Sequence, residues 1–540
     1  MASSRLRNRR CRRSPPAVGK PRGVLHPRVQ QVGPEHFGIV CFDCAKVRSK
    51  FLLADFYGRL LIGPTVVAHT RPDLDAAVAQ VRNAFAQHQL RDGLVAVERT
   101  GRYHRVVQRA FAAAGFETRI VHPFVTKQYR QPVDPGNKTD DADLAALHRA
   151  TVTGCALREA PRDEAWTTLQ LLIRHRRDWV RKGAALNCQI REHLEAALPG
   201  YAACFDKLWE SPIPWHLLRH YPTAGQLHAA GVAALGQSLR HAGIRFQHRT
   251  VQTVVDWAGQ AAPGDIAAGQ HLRIALALYD DRLRKNREIQ ALEREIAGRL
   301  VQTPYVLLLS FPGINVVSAA DFAGEAGPME HYANAKSITG RAGLRPSRYQ
   351  SDQLDQANGP LVRQCNHALR AAILGIADNL IVCNHHFQAL ATRWAAQGKD
   401  PRASRVKVGL RFCRIAFQMV AGRQVFRHPS IQGRHAILDK LTAFHREHDT
   451  GMVEVLRDLQ AAIGQLPRRA YAAEAKPLAE ELQRIQQGRR RGPQLLGDIL
   501  PIVLARLGVG VVQSSASGEE TSAAAGSRAE NAFSSPRGEP

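Results

Sequence analysis

The chain has 540 residues, too many for one ordinary hydrophobic core, so two to four domains are expected. Its 74 Lys and Arg against 47 Asp and Glu leave a formal charge of +27, which makes nucleic acid the natural partner. No lipid signal or basic amphipathic helix is legible, and the apolar run over 496–512 is short and interrupted by Arg506, so no membrane association is expected.

The nine cysteines are scattered and odd in number, and no signal peptide is recognisable, which predicts reduced thiols in a cytoplasm. Cys41 and Cys44 form a C-x-x-C with no second pair at zinc spacing, and read as two small residues of a buried strand.

Residues 1–33 read as a disordered basic arm; the first 30 hold nine Arg or Lys, four prolines and no acid. From Phe37, the short apolar runs FGIVCFD, KFLLADF and, after a Gly58 turn, LLIGPTVVA predict a hairpin or meander. A helix over 74–89, the strand GLVAVE at 93–98, a helix near 103–114 and the strand TRIVHP at 118–123 follow. Strands first, then strands alternating with helices, predict a mixed sheet; an RNase H-like α/β domain over 34–155 has this order.

Residues 160–300 carry almost no strand signal, and 156–302 reads as a helical, coiled-coil-like linker domain. Leu169, Ile173, Val180, Ile190 and Leu194 recur at roughly helical spacing. A second stripe, Leu272, Leu276, Tyr279, Leu283, Ile289, Leu292, Ile296 and Leu300, has a coiled-coil-like seam that suits packing within one chain or pairing between two. A third domain, 303–428, opens with LLLSFPGINVVSAADFAGEAG, continues through RAGLRPSRYQSDQ and ends in a long helical region. Residues 429–512 read as a helical extension and 513–540 as a low-complexity disordered tail.

The chemistry-bearing candidates are carboxylates. Asp43 follows the apolar run of the first strand and Glu98 ends GLVAVE, positions where a sheet hands over to a loop and where active sites gather. In NKTDDADLAALHRA, Thr139 or Asp140 can cap a helix, and a spacing of three puts Asp140 and Asp143 on one face. Four carboxylates at one spot would repel one another unless divalent cations neutralised them, and oxygen-only ligation suits Mg²⁺ or Mn²⁺. Spacing alone leaves the simpler reading open, of turn formers and helix-start acids.

The segments FDCAK (42–46), VERTGRYH (97–104), GFETRIVHP (115–123) and NKTDDADLAALHRA (137–150) resemble the DEDD-type insertion-sequence transposases. The resemblance implies a RuvC-like domain whose catalytic, metal-binding carboxylates are Asp43, Glu98, Asp140 and Asp143, with Asp141 at a variable position and Cys41 where the family often has Gly. SFPGINVVSAADFAGEAG resembles the helix-hairpin-helix-like piece of the family's second domain, with Asn315 in place of a small residue. AGLRPSRYQSDQ and RQCNHALRAAI resemble the segments that carry and follow its nucleophilic serine, which places that serine at Ser351; Asp352 and Cys365 stand where glycines are expected. Lys138, Arg345, Arg348, Arg363 and Arg370 are the cations expected at nucleic-acid phosphates.

The resemblance spans about residues 36–425 and implies a site-specific DNA recombinase that cuts and rejoins DNA, in a bacterial, nucleoid-associated setting. It also implies DNA as partner, in some relatives a structured guide RNA, and a homo-oligomer, dimer or tetramer, because transposition holds two DNA sites together. Two alternatives are a RuvC-like nuclease acting by hydrolysis and a domesticated, non-catalytic nucleic-acid-binding protein, for which the lost glycines argue and the intact carboxylates do not.

Overall fold

The computed structural model describes residues 25–133, 136, 138–159, 163–351, 354–356, 359–426 and 436–467. The chain divides into two compact units, Met1–Pro161 and Arg162–Pro540.

The first unit is built on five strands, β1 (Phe37–Cys44), β2 (Arg48–Asp55), β3 (Leu60–Ala68), β4 (Asp92–Glu98) and β5 (Thr118–Val121), in the order β3-β2-β1-β4-β5. β1, β2 and β3 form the antiparallel meander expected from their turn-bounded apolar runs, while β4 and β5 join β1 in parallel. Alternation along the strands sorts side chains to two covered faces. Val40, Phe42, Val95 and Val97 pack under α2 (Arg71–Gln87) and α3 (His104–Ala113), where Phe42 stacks on Phe51 at 4.9 Å. Ile39, Cys41, Leu94 and Ala96 pack against Leu144, Leu147 and Ala150 of α5 (Asp140–Val152). Cys41 and Cys44 are buried in β1, as small core residues would be. This mixed sheet with helices on both faces is the RNase H-like α/β domain expected.

Two helices of this unit were not legible. The end of the basic arm, expected to be disordered, forms α1 (Leu25–Val32), because Val29 enters the core and Arg28 bonds Asp92, Glu117 (2.6 Å) and the Gly93 carbonyl (3.0 Å). Helix α4 (Pro123–Arg130) follows β5, with Pro123 in its first turn and its N-terminus capped by His122 Nδ1, which accepts from Phe124 N at 3.2 Å.

The second unit is helical. Its spine is an antiparallel pair, α6 (Glu164–Ala197) and α10 (Ala268–Leu300), tied by Arg176–Glu293 at one end and by His193–His271 (2.9 Å) at the other. Much of the seam is taken up within the chain: Leu272, Tyr279, Ile296 and Leu300 are buried, with Tyr279 stacked on Trp215 at 3.9 Å, while Leu283 remains 36% exposed. Against the distal halves of the pair packs a lobe of α7 (Ile213–His220), α8 (Ala224–His241) and α9 (His248–Gln260), centred on Tyr201, Trp215 and Leu217.

The proximal halves join a larger core with α11 (Val316–Ala326), α12 (Ala335–Arg341), α13 (His367–Cys383), α14 (His385–Ala396), α15 (Pro401–Ala421), α16 (Ala436–Glu447) and α17 (Met452–Gln465). A short ribbon of β6 (Tyr349–Ser351) and β7 (Leu354–Gln356) stands before α13. Among the described residues no helix is long and apolar enough to cross a membrane. The tail over 513–540 lies outside the described residues.

Candidate functional site

β1 and β4 are neighbours in parallel, with Phe42 opposite Val97, so Asp43 and Glu98 leave the sheet side by side at its carboxyl end. The two-residue alternation that points Ile39, Cys41, Leu94 and Ala96 at α5 points Asp43 and Glu98 the same way. The start of α5 meets them there. Thr139 Oγ1 accepts from Ala142 N at 3.2 Å, fixing the first turn that carries Asp140 and Asp143. Asp140 is exposed, Asp43 half-buried, and Glu98 and Asp143 are buried.

These carboxylates act on one another electrostatically. Burial first, then the charges of Asp43 and Asp143, push the Glu98 carboxyl up to about 7, against the opposing pull of Lys138 and Arg130. Asp43 is raised by burial and by Asp140 and Asp143, with Lys138 again opposing. All four residues singled out from the sequence therefore share one edge. Among the described residues no group of three His, Cys, Asp or Glu side chains is arranged to hold a metal ion.

Two cations not singled out from the sequence lie in this cluster. Lys50 stands opposite Asp43 in the β1–β2 register and places its ammonium 2.6 Å from Asp141. Arg130, at the end of α4, forms an ion pair with Asp143 in which both side chains are nearly buried, 13% and 8% exposed. Lys50 was within reach of the strand pattern, since KFLLADF pairs with FGIVCFD; Arg130 needed the unforeseen α4.

In the second unit, the Pro-Gly segment folds as a 3-10 helix (Pro304–Ser310), a turn with Gly313 at φ +89°, and α11. Asn315, the departure from the family pattern, is the N-cap of α11: its Oδ1 accepts from Ser318 N at 2.8 Å while Ser318 Oγ accepts from Asn315 N at 3.0 Å. Lys440 of α16 donates to the Phe311 and Ile314 carbonyls at 2.8 and 2.7 Å, clasping the turn.

Ser351 ends β6, its backbone in register with Leu354; its side chain and Asp352 lie outside the described residues. The ribbon's base is held by Ser347 N on the Pro360 carbonyl (2.8 Å), Val362 N on the Arg345 carbonyl (3.1 Å) and the Arg370 guanidinium. Arg370 donates to the carbonyls of Ala342 (2.9 Å), Gly343 (3.2 Å) and Val362 and to Cys365 Sγ (2.8 Å). Expected at a phosphate, it is engaged in the architecture of the loop. Lys138, Arg345, Arg348 and Arg363 are exposed.

Behind the ribbon, Glu325 is fully buried. Burial alone would raise its carboxyl, but a bidentate bond from Arg174 (2.8 Å twice) and bonds from Asn366 and Arg177 hold it below its usual range.

An RNase H-like sheet with acidic residues at its carboxyl end, joined to a helical unit, is an architecture of nucleic-acid-processing enzymes. A model of the DEDD transposases of IS110 type matches residues 40–199, and one for the transposase IS116/IS110/IS902 family matches residues 305–392. No curated protein matches the chain at a significant level. Over these two stretches the chain carries IS110-family transposase domains, which supports a transposase function. The lobe of α7, α8 and α9 falls between the two matched stretches.

Proposed function

We propose that this transposase cuts and rejoins DNA as a site-specific recombinase, with Asp43, Glu98, Asp140 and Asp143 holding Mg²⁺ or Mn²⁺ and Ser351 as nucleophile. The observation that carries the reading is the shared edge of the four carboxylates, with the buried Glu98 carboxyl raised to about 7. An all-oxygen donor set that raises its own pKa values fits a hard divalent cation. When bound, that cation supplies Lewis acidity at a scissile phosphate.

Asp43 and Glu98 are fixed by adjacent strands and the two aspartates of α5 by a capped first turn, so the donors are held by rigid elements. Lys138 and the exposed Arg345, Arg348 and Arg363 bind the DNA backbone without reading bases. Ser351 Oγ forms a bond to phosphorus as the bond from phosphorus to one deoxyribose oxygen breaks. The hydroxyl gives up its proton and the departing oxygen takes one up, so one phosphodiester replaces another and the reverse step rejoins DNA. A structured guide RNA is compatible with the charge of +27, and a dimer or tetramer holds the two DNA sites. The setting is the bacterial cytoplasm, on the nucleoid.

The test incubates the full chain with element-end DNA and Mg²⁺ and resolves the products under denaturing conditions. A covalent protein–DNA adduct is expected from wild type, and none from Ser351→Ala or Asp43→Ala, both with DNA binding retained. Free cut ends without an adduct would replace the serine mechanism by hydrolysis; normal recombination by Ser351→Ala would make Ser351 a turn residue.

A further inference from the structure

Arg130 poses a question that the carboxylate reading leaves unanswered. Its guanidinium pairs with Asp143, both side chains are largely withdrawn from water, and its charge also acts on Glu98. Removing one partner of a buried ion pair leaves the other's charge uncompensated, so while Arg130 stays in place a second cation at Asp143 must compete with it. Lys50 plays a looser part in the same cluster, on Asp141 at 2.6 Å and 24% exposed. The two cations pair with two of the three aspartates in α5's first turn, Asp141 and Asp143, and among the described residues no three of the acidic side chains are arranged to hold an ion.

We propose that Arg130 is a displaceable counter-cation: it neutralises Asp143 in the DNA-free protein, and a divalent cation binds the carboxylates only as the Arg130–Asp143 pair opens. This rests on the metal-site reading above and adds a gate to it. Arg130 is thereby a positioning residue. It lies at the last residue of α4, followed by the exposed residues 131–133.

Competition fixes the sign of the effect. A ligand that must first break an ion pair has its affinity lowered by the population of the closed form. Removing the guanidinium charge while keeping a polar side chain, as in Arg130→Gln, therefore tightens Mn²⁺ binding to the DNA-free protein, on the order of tenfold. Arg130→Lys, which keeps the charge, stays close to wild type.

The experiment measures bound Mn²⁺ by electron paramagnetic resonance for wild type, Arg130→Gln, Arg130→Lys and Asp43→Asn, with circular dichroism to verify folding. A second readout needs no variant: phenylglyoxal modification of Arg130 in the wild-type chain, followed by mass spectrometry, should rise when Mn²⁺ is added. Tighter binding by Arg130→Gln with increased labelling of wild-type Arg130 supports the gate. Unchanged or weaker binding by a folded Arg130→Gln, or Arg130 labelling indifferent to Mn²⁺, overturns it while leaving the metal site standing if Asp43→Asn abolishes binding. Mn²⁺ binding that survives Asp43→Asn removes the metal-site reading and the gate together.

Discussion

Burial, and then the Asp43 carboxylate near the end of β1, hold the Glu98 carboxyl of the neighbouring parallel strand at about 7, above its ordinary 4.5. A carboxyl whose pKa is raised on folding binds more protons in the native than in the unfolded state. The contribution of Glu98 to stability is then fully present below pH 4.5 and is lost as pH rises through about 7. The expected result is that Glu98→Gln stabilises the metal-free protein at pH 8 by roughly 2–3 kcal/mol, with the gain vanishing below pH 4.5. Thermal melts of the two proteins across pH, in chelator, check it; equal melting at pH 8 would mean that Glu98 is not destabilised by its surroundings. The same variant should lose divalent-dependent cleavage.

Lys138 opposes the upward shifts of both Asp43 and Glu98. Replacing it by Gln leaves both carboxyls harder to ionise, so the acid limb of metal-dependent cleavage moves to higher pH. Because Lys138 is exposed, the variant should also lose a phosphate contact, reducing the slope of log affinity against log salt by about 1. A pH–rate profile and a salt titration read the two effects separately. An unmoved profile with a reduced slope would confine Lys138 to backbone binding.

What could be read in advance follows the range of the physics. β1 to β5 were legible because alternation and turn residues are local, and Asp43 and Glu98 were visible as carboxylates ending apolar runs. The disposition of α5 was visible from Thr139 and the spacing of its aspartates. Arg130 was not, since its meeting with Asp143 depends on how α4 packs on α5, a contact that no local pattern specifies. Helix α1 was hidden for a related reason: Arg28 looks like one more charge in a basic arm until Asp92 and Glu117 are brought beside it by the sheet. The ribbon of β6 and β7 is only three residues on each side, too short for alternation to register.

The seam on α10 yields a prediction about assembly. Leu276 is partly buried against the lobe's core, whereas Leu283 is 36% exposed. Leu276→Lys should lower stability by about 2 kcal/mol through loss of apolar burial, whatever the oligomeric state. Leu283→Lys should leave stability within about 0.5 kcal/mol and reduce the sedimenting mass if this face pairs with a second copy. An unchanged mass for the folded Leu283→Lys protein would assign the whole seam to intramolecular packing.

Arg370 offers the sharpest test of the second unit, because its two roles predict opposite signatures. Its Nε and Nη2 are directed at the carbonyls of Ala342, Gly343 and Val362, which fixes the turn that ends α12 against the loop that leads into α13. Gly343 has φ +62°, and a Cβ there would stand 2.5 Å from Arg370 Nη2, so guanidinium and glycine are fitted to each other. Charge-assisted bonds to buried carbonyls contribute about 1.5–3 kcal/mol. Arg370→Ala should therefore destabilise the protein by about 2 kcal/mol and expose residues 343–365 to limited proteolysis. Arg370→Lys should rescue little, since one ammonium cannot reproduce the planar fork. A residue whose main task is a phosphate would behave otherwise, lowering the salt slope of DNA binding by about 1 with the melting temperature unchanged. Melting, proteolysis and salt titration on the same pair of variants distinguish the two, and a stable Arg370→Ala with weakened DNA binding would return this residue to the nucleic-acid interface.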